Sequence, residues 1–335
     1  CQGNWGNTLT GDGAAAPRYI EARLSKFALH VAFNPKTTNW LLSYDGRNKE
    51  PEQLPMKFPL LLAQGAEGIA VGMACKFLPH NFIELIDQSI NHLRGKKVEL
   101  LPDFPNGGMA DFTGYNDGLR GGRVRVRAKI KKVDNKTLTI HEIPFGTTTG
   151  SLIESVIKAN DKGKIKIKKI EDNTSSEAEI IVHLFPGVSP DKTIDALYAF
   201  TDCEVSMAPN SSIIDGDKPR FLGVSEILKI NTDNTVRLLR LELEIRLDEL
   251  ERQWHFSTLE KLFINNEMYI DFKLYSDRET LYVYMYDRFK PFAKSFVREI
   301  NDDDLQKLTQ IPMIRITRFR SEEHTSELQS PCTIS

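Results

Sequence analysis

Arg123-Val124-Arg125-Val126-Arg127-Ala128-Lys129-Ile130-Lys131 alternates a cation with an apolar residue along its whole length. Successive side chains of a strand point to opposite faces, so this period of two predicts a strand over 123–133 with one basic and one apolar face. Asp134-Asn135-Lys136 supplies a hairpin turn, 137–143 reads as the returning strand, and 177–184 as a further one. Lys164, Lys166 and Lys168 repeat the alternation around Ile165 and Ile167. Helices are predicted around 150–160 and 190–200, the second with Ser189 as N-cap and Pro190 in its first turn. Strands returning through short turns, with helices between them, describe an α+β unit, and the turn-rich stretch 209–219 reads as a connector out of it.

After about residue 225 the period changes. Val236, Leu239, Leu243, Leu247, Leu250 and Trp254 recur at three and four, while Glu242, Glu244, Arg246, Asp248, Glu249, Glu251 and Arg252 cover most other faces. That is the pattern of a long amphipathic or coiled-coil helix. Leu238, Leu241 and Ile245 widen the stripe, so the helix is expected to pack against more than one neighbour. Near the start, a Gly-rich loop precedes a helix expected from about residue 19 to 33 on Leu24, Phe27, Ala28 and Val31, with Pro35 ending it.

The chain has 335 residues, 40% of them hydrophobic, enough for two or three units with cores of their own. Its longest apolar runs, 58–63 and 68–74, are far too short to span a bilayer, and no secretory signal opens the sequence. Cys1, Cys75, Cys203 and Cys332 are scattered singly, neither a disulfide framework nor a zinc pattern. These features predict a cytoplasmic protein. The net charge of −2 does not advertise a nucleic-acid binder, but its distribution does: residues 120–132 hold seven basic residues and no acidic one. Cations crowded on one strand face repel one another unless a polyanion lies along them, so Arg123, Arg125, Arg127 and Lys129 are candidate contacts to a duplex.

The sharpest chemical signal is Asp12-Gly13-Ala14-Ala15-Ala16-Pro17-Arg18-Tyr19-Ile20-Glu21-Ala22. A phenol ionises near pH 10 and is a poor nucleophile until its anion is stabilised. The guanidinium of Arg18, always charged and matched to phosphate oxygens, could help Tyr19 and hold the group under attack. Three functions fit the residues: a phosphoryl-transfer nucleophile on DNA, a noncatalytic DNA-bending protein, or a structural dimer held by the 236–254 helix.

Four ordered stretches decide among these: Gly3-Asn4-Trp5-Gly6; the run Ala15 to Leu24 around Arg18-Tyr19; Tyr44-Asp45-Gly46; and Gly68-Ile69-Ala70-Val71-Gly72-Met73-Ala74 with Pro79-His80-Asn81. Together they resemble the breakage-reunion (A) subunit of bacterial type IIA topoisomerases, and Pro17 leans toward the topoisomerase IV rather than the gyrase branch. The resemblance implies that Tyr19 forms a 5′-phosphotyrosyl link, that Arg18 assists it, and that Ile69 wedges between bases. It implies the end of a winged-helix domain over 1–35, a tower over 36–228 and a coiled-coil arm over 229–319. Glu67 departs from the small polar residue common at its position. The implied assembly is an A2B2 heterotetramer on double-stranded DNA at the nucleoid, with a homodimer of A subunits and with ATP and Mg²⁺ bound by the B subunit.

The residues agree with that division. No Gly-x-x-x-x-Gly-Lys-Ser/Thr loop is present, and Asp302-Asp303-Asp304 lie in a polar, turn-like stretch with side chains pointing apart, so no cofactor or metal is expected on this chain. His80 and His141 are read as structural. Residues 320–330 resemble a translated sequencing adapter, and the chain is expected to be a piece cut at both ends and inactive alone.

Overall fold

A computed structural model describes residues 1–216 and 218–317. The predicted adapter segment, 320–335, lies outside them. The chain divides into two compact units, Cys1–Leu239 and from Arg240 onward.

The first unit opens on a loop and a 3-10 turn, Pro17–Tyr19, followed by α1 (Lys26–Val31). The expected helix over 19–33 is therefore shorter. Ile20 is extended, and Glu21 pairs with Gln2 through two backbone bonds of 2.9 and 3.0 Å, which holds the chain out of helical geometry until Ser25 caps Ala28. A hairpin of β1 (Trp40–Leu42) and β2 (Lys49–Pro51) follows, then α2 (Leu60–Gln64). A second hairpin, β3 (Ala66–Ala70) with β4 (Met73–Phe77), leads into α3 (Phe82–Leu93), whose N-terminal amides of Ile83 and Glu84 donate to the Asn81 side chain.

Two antiparallel sheets make the body of this unit. β5 (Met109–Asp111), β6 (Val124–Arg127) and β11 (Glu204–Met207) form one, in the order β11-β6-β5. β7 (Lys129–Lys132), β8 (Thr137–Glu142), β9 (Ile167–Asp172) and β10 (Ile180–Leu184) form the other, in the order β7-β8-β10-β9. The strand predicted over 123–133 is thus two strands in two sheets. Ala128 is the crossing point: its amide donates to Cys203 O at 2.8 Å and its carbonyl accepts from the Tyr198 hydroxyl at 2.9 Å, outside both ladders. The alternation survives the crossing, with Val124, Val126 and Ala128 buried and Arg123, Arg125, Arg127 and Lys129 exposed.

Two helices back the four-stranded sheet, α4 (Thr149–Asp161) between β8 and β9, and α5 (Pro190–Phe200) between β10 and β11. Leu138, Ile140, Leu152, Val156, Ile180, Val182 and Leu197 are the centre of this core, all fully buried. Thr148 and Ser151 form a reciprocal capping box at the start of α4. Ser189 occupies the N-cap of α5 as predicted, but its hydroxyl caps nothing; its carbonyl accepts from the Thr193 amide and hydroxyl instead. The strand expected from 177 starts at Ile180, because Asn173 donates to Glu179 O across a tight turn. The predicted connector carries a small hairpin, β12 (Ile213–Asp215) with β13 (Lys218–Arg220).

α6 (Val224–Asn265) is the predicted long helix, 42 residues in one run. Its stripe departs from expectation: Leu238 is buried, but Val236, Leu239, Leu243, Leu247, Leu250 and Trp254 are all exposed, so among the described residues this seam has no cover. In the second unit the end of α6 packs with a 3-10 segment, Met268–Leu274, with α7 (Arg278–Phe289) and with α8 (Asp302–Thr309). Leu259, Phe263, Ile264, Met285, Phe289 and Leu305 form its core. Asp302-Asp303-Asp304 are the first turn of α8 rather than a polar turn, since Asn301 and Asp304 close a capping box there. The return expected over 308–318 is broken: α8 ends at Thr309 and helix resumes at 313–317, Arg318 lying outside the described residues. With every sheet antiparallel and helices set between and after the strands, the fold is α+β.

Candidate functional site

Tyr19 ends the short turn begun by Pro17, whose fixed φ suits the first position of a helical turn. Its amide donates to Ala16 O at 2.9 Å, and its side chain is 65% exposed. The Arg18 guanidinium carbon sits 4.8 Å from the centre of the Tyr19 ring. A cation over the face of an aromatic ring is an attractive contact. Here it sets the charge beside the phenol on an open surface, where a polyanion can reach both. The Pro17–Tyr19 turn is carried on a frame of backbone bonds: Gln2 with Glu21 on one side, and Ala15 N to Asn4 O at 3.0 Å on the other.

Ile69 lies near the tip of the β3/β4 hairpin, 89% exposed, beside a fully exposed Val71. An isoleucine in an apolar strand is ordinarily buried, and this one is held out in solvent. The hairpin is fixed near its base at Lys76, whose backbone exchanges two bonds of 3.0 Å with Asn210 and whose ammonium lies 3.0 Å from the Glu67 carboxylate. Glu67 therefore has a partner on the opposite strand, directly across in register.

The basic face carries carboxylates that its sequence period does not reveal. Arg125 lies 2.7 Å from Asp111, Arg127 is hydrogen-bonded to Glu204, and Lys129 lies 3.0 Å from Glu142. Each carboxylate sits directly opposite its cation on the neighbouring strand. The mutual repulsion of Arg125, Arg127 and Lys129 is thus reduced within the chain, the usual effect of opposite charges facing each other across a ladder. The Thr113 hydroxyl and amide, with Arg125, hold the Asp111 carboxyl far below the usual carboxylate range. The Gly108 amide and Lys129 lower that of Glu142. Sequence reasoning missed these partners because they lie 13, 14 and 77 residues away.

His80 is buried, with Nδ1 3.0 Å from Leu62 O and Nε2 3.5 Å from the Tyr115 hydroxyl, and burial pushes its pKa below the ordinary imidazole value. Its contacts are those of a structural residue. Among the described residues no group of three or more His, Cys, Asp or Glu is arranged to hold a metal ion, and no helix is long and apolar enough to cross a membrane.

An exposed tyrosine with an arginine over its ring, and an exposed isoleucine on a braced hairpin, belong to a chain that one protein family matches almost end to end: the family model for the A subunit of DNA gyrase/topoisomerase IV covers residues 1–332. The chain belongs to this family. Among curated relatives, the A subunit of DNA topoisomerase 4 from Borreliella burgdorferi is 38% identical over 328 residues, 98% of this chain and 52% of that protein. The A subunit of DNA gyrase from Lawsonia intracellularis is 32% identical over 279 residues, and that from Chlamydia muridarum 30% over 277, each match taking in 76% of this chain and 33% of the relative. This A-subunit chain spans about half the length of the first relative and a third of the other two. The higher identity to the topoisomerase 4 protein than to these gyrases agrees with the lean given by Pro17.

Proposed function

We propose that this chain carries the breakage-reunion chemistry of a type IIA topoisomerase A subunit, with Tyr19 as nucleophile. The observation that carries the reading is Tyr19 itself, open to solvent with the Arg18 guanidinium 4.8 Å from its ring. The Tyr19 hydroxyl oxygen attacks a backbone phosphorus; the Tyr Oη–P bond forms as the P–O3′ bond breaks. The phenolic proton is lost and the departing 3′ oxygen takes one up, leaving a 5′-phosphotyrosyl link and a free 3′-hydroxyl. Because one phosphodiester replaces another, resealing by the 3′-hydroxyl needs no outside energy. Arg18 holds the phosphoryl oxygens and the charge that develops on them, a task suited to its planar donors. Ile69, exposed on its hairpin, enters between stacked bases and bends the duplex, as apolar wedges do in other DNA-bending proteins.

In this reading two A chains and two B subunits pass one duplex through another, in relaxation or decatenation during chromosome segregation. ATP and Mg²⁺ would be held by the B subunit, and the metal, when bound, would supply charge stabilisation for the transfer. The homodimer uses the α6 arm. The face of β6 and β7 contributes less to DNA affinity than its arginines suggest, since a duplex there meets Asp111, Glu204 and Glu142 beside Arg125, Arg127 and Lys129.

The test uses the full-length A subunit with its B partner, Mg²⁺ and a labelled duplex. Denaturant quenching followed by nuclease digestion should leave a nucleotide on Tyr19. An active enzyme with no adduct at that residue would reject the reading, and DNA bent without any covalent product would favour the noncatalytic alternative.

A further inference from the structure

We propose that Gly3 is a positioning residue for the cleavage reaction: its missing side chain lets the Gly3-Asn4-Trp5-Gly6 segment lie directly against the Tyr19 backbone and set where the phenol points. The inference rests on the reading of Tyr19 as nucleophile. The Gly-rich motif does not itself reach the reacting atoms, and its spacing from Tyr19 in sequence gives it no evident task.

The geometry supplies one. Gly3 has φ of +98°, a conformation open to glycine but strained for other residues, and a Cβ added there would lie 2.7 Å from Tyr19 O and 3.2 Å from Ile20 Cα. Both are backbone atoms of the nucleophile's own turn, so neither can swing aside as a flexible side chain would. On either side of Gly3 the two segments are tied: Gln2 N to Glu21 O at 2.9 Å, Glu21 N to Gln2 O at 3.0 Å, and Ala15 N to Asn4 O at 3.0 Å. Gly6 repeats the close approach farther out, since a Cβ there would lie 2.5 Å from Asp12 O and 2.9 Å from Ala14 N. Asn4 braces the loop between them by accepting the Gly6 amide at 2.9 Å on its side-chain oxygen. The segment 2–6 is thus a template that brackets residues 12–21, and Gly3 is its point of contact with the reactive turn. In-line attack on phosphorus tolerates little error, and a misplacement of about 1 Å can lower a rate about 100-fold.

The experiment compares four variants of the full-length A subunit, reconstituted with its B partner and Mg²⁺ on a labelled duplex. In Gly3→Ala, the rate of adduct formation at saturating DNA should fall about 100-fold, while the Kd for DNA stays within about threefold of wild type, because phosphate contacts elsewhere set affinity. Gly13→Ala is the control: it sits in the same loop, its added Cβ meets nothing within 4 Å, and it should cleave at the wild-type rate. Should Gly3→Ala melt well below wild type, Asn4→Ala, which removes only the brace from an exposed side chain, carries the test and should slow cleavage severalfold with unchanged melting. Tyr19→Phe separates the two claims. If it still forms the adduct, the nucleophile lies elsewhere and the reading of Tyr19 falls. If it forms none while a well-folded Gly3→Ala or Asn4→Ala cleaves like wild type, the positioning role falls alone. A loss of DNA affinity parallel to the loss of rate would also overturn it, since that is what a general structural role would give.

Discussion

Tyr19 and Arg18, the pair proposed to act on DNA, are neighbours in the chain, and each can be altered without disturbing a core, because neither is buried. Tyr19→Phe should bind DNA as wild type does and give no covalent product in the quench assay. Arg18→Ala should lower the cleavage rate about 10²- to 10³-fold, the size of effect seen when one donor to a developing oxyanion is lost. Ile69→Ala should shift folding stability by no more than about 0.5 kcal/mol, as for other exposed sites, yet reduce the bend of a bound duplex measured by fluorescence transfer between its ends. The Arg18-Tyr19 pair was legible in sequence because adjacent residues on a tight turn have few ways to part. The exposure of Ile69 was not, since an apolar strand reads the same whether buried or projecting.

Among the elements, the alternating face of β6 and β7 shows how a correct period can leave facing carboxylates unseen. The two-residue repeat placed the cations on one side, as found, but the carboxylates opposite them come from β5, β11 and β8. A free cation that contacts phosphate contributes about 0.9 to the slope of log affinity against log salt. The double variant Arg125→Ala, Arg127→Ala should therefore change that slope by less than one, whereas two uncompensated contacts would change it by nearly two. In the second unit, the same kind of pairing makes a pH-sensitive joint. Burial pushes the Asp304 carboxyl up, but two Arg298 hydrogen bonds of 2.7 Å, the Asn301 amide and the charge on Arg298 outweigh it, and its pKa lies below the ordinary 3.8. A carboxylate depressed on folding adds stability above its unfolded pKa and loses it as pH falls through the folded one. Melting of this unit should thus drop as pH is lowered below about 4, and Asp304→Asn should flatten that dependence while lowering stability at neutral pH.

For the whole molecule, the open question that water poses is the α6 seam. Exposed apolar stripes of this length are uncommon on soluble monomers and mark association surfaces. The 335-residue chain should self-associate as concentration rises in sedimentation experiments, with little dependence on salt, and Leu243→Glu with Leu247→Glu should shift it toward monomer. A net charge of −2 gives the chain no strong long-range field toward a polyanion, so on the proposed function DNA affinity would come from local surfaces.

What could be read without coordinates were the local periodicities, two for the strands and three and four for α6, the Ser189-Pro190 start of α5, and the adjacency of Arg18 and Tyr19. These follow from bond geometry within a few residues and hold in any surroundings. The division of one predicted strand between two sheets, the carboxylates set against the basic face, the extended Gln2/Glu21 pairing that shortens α1 and the glycine beneath Tyr19 depend on segments far apart in sequence. Their positions follow from which surfaces pack and which backbone groups find partners, a balance struck over the folded chain and encoded in no single stretch of it.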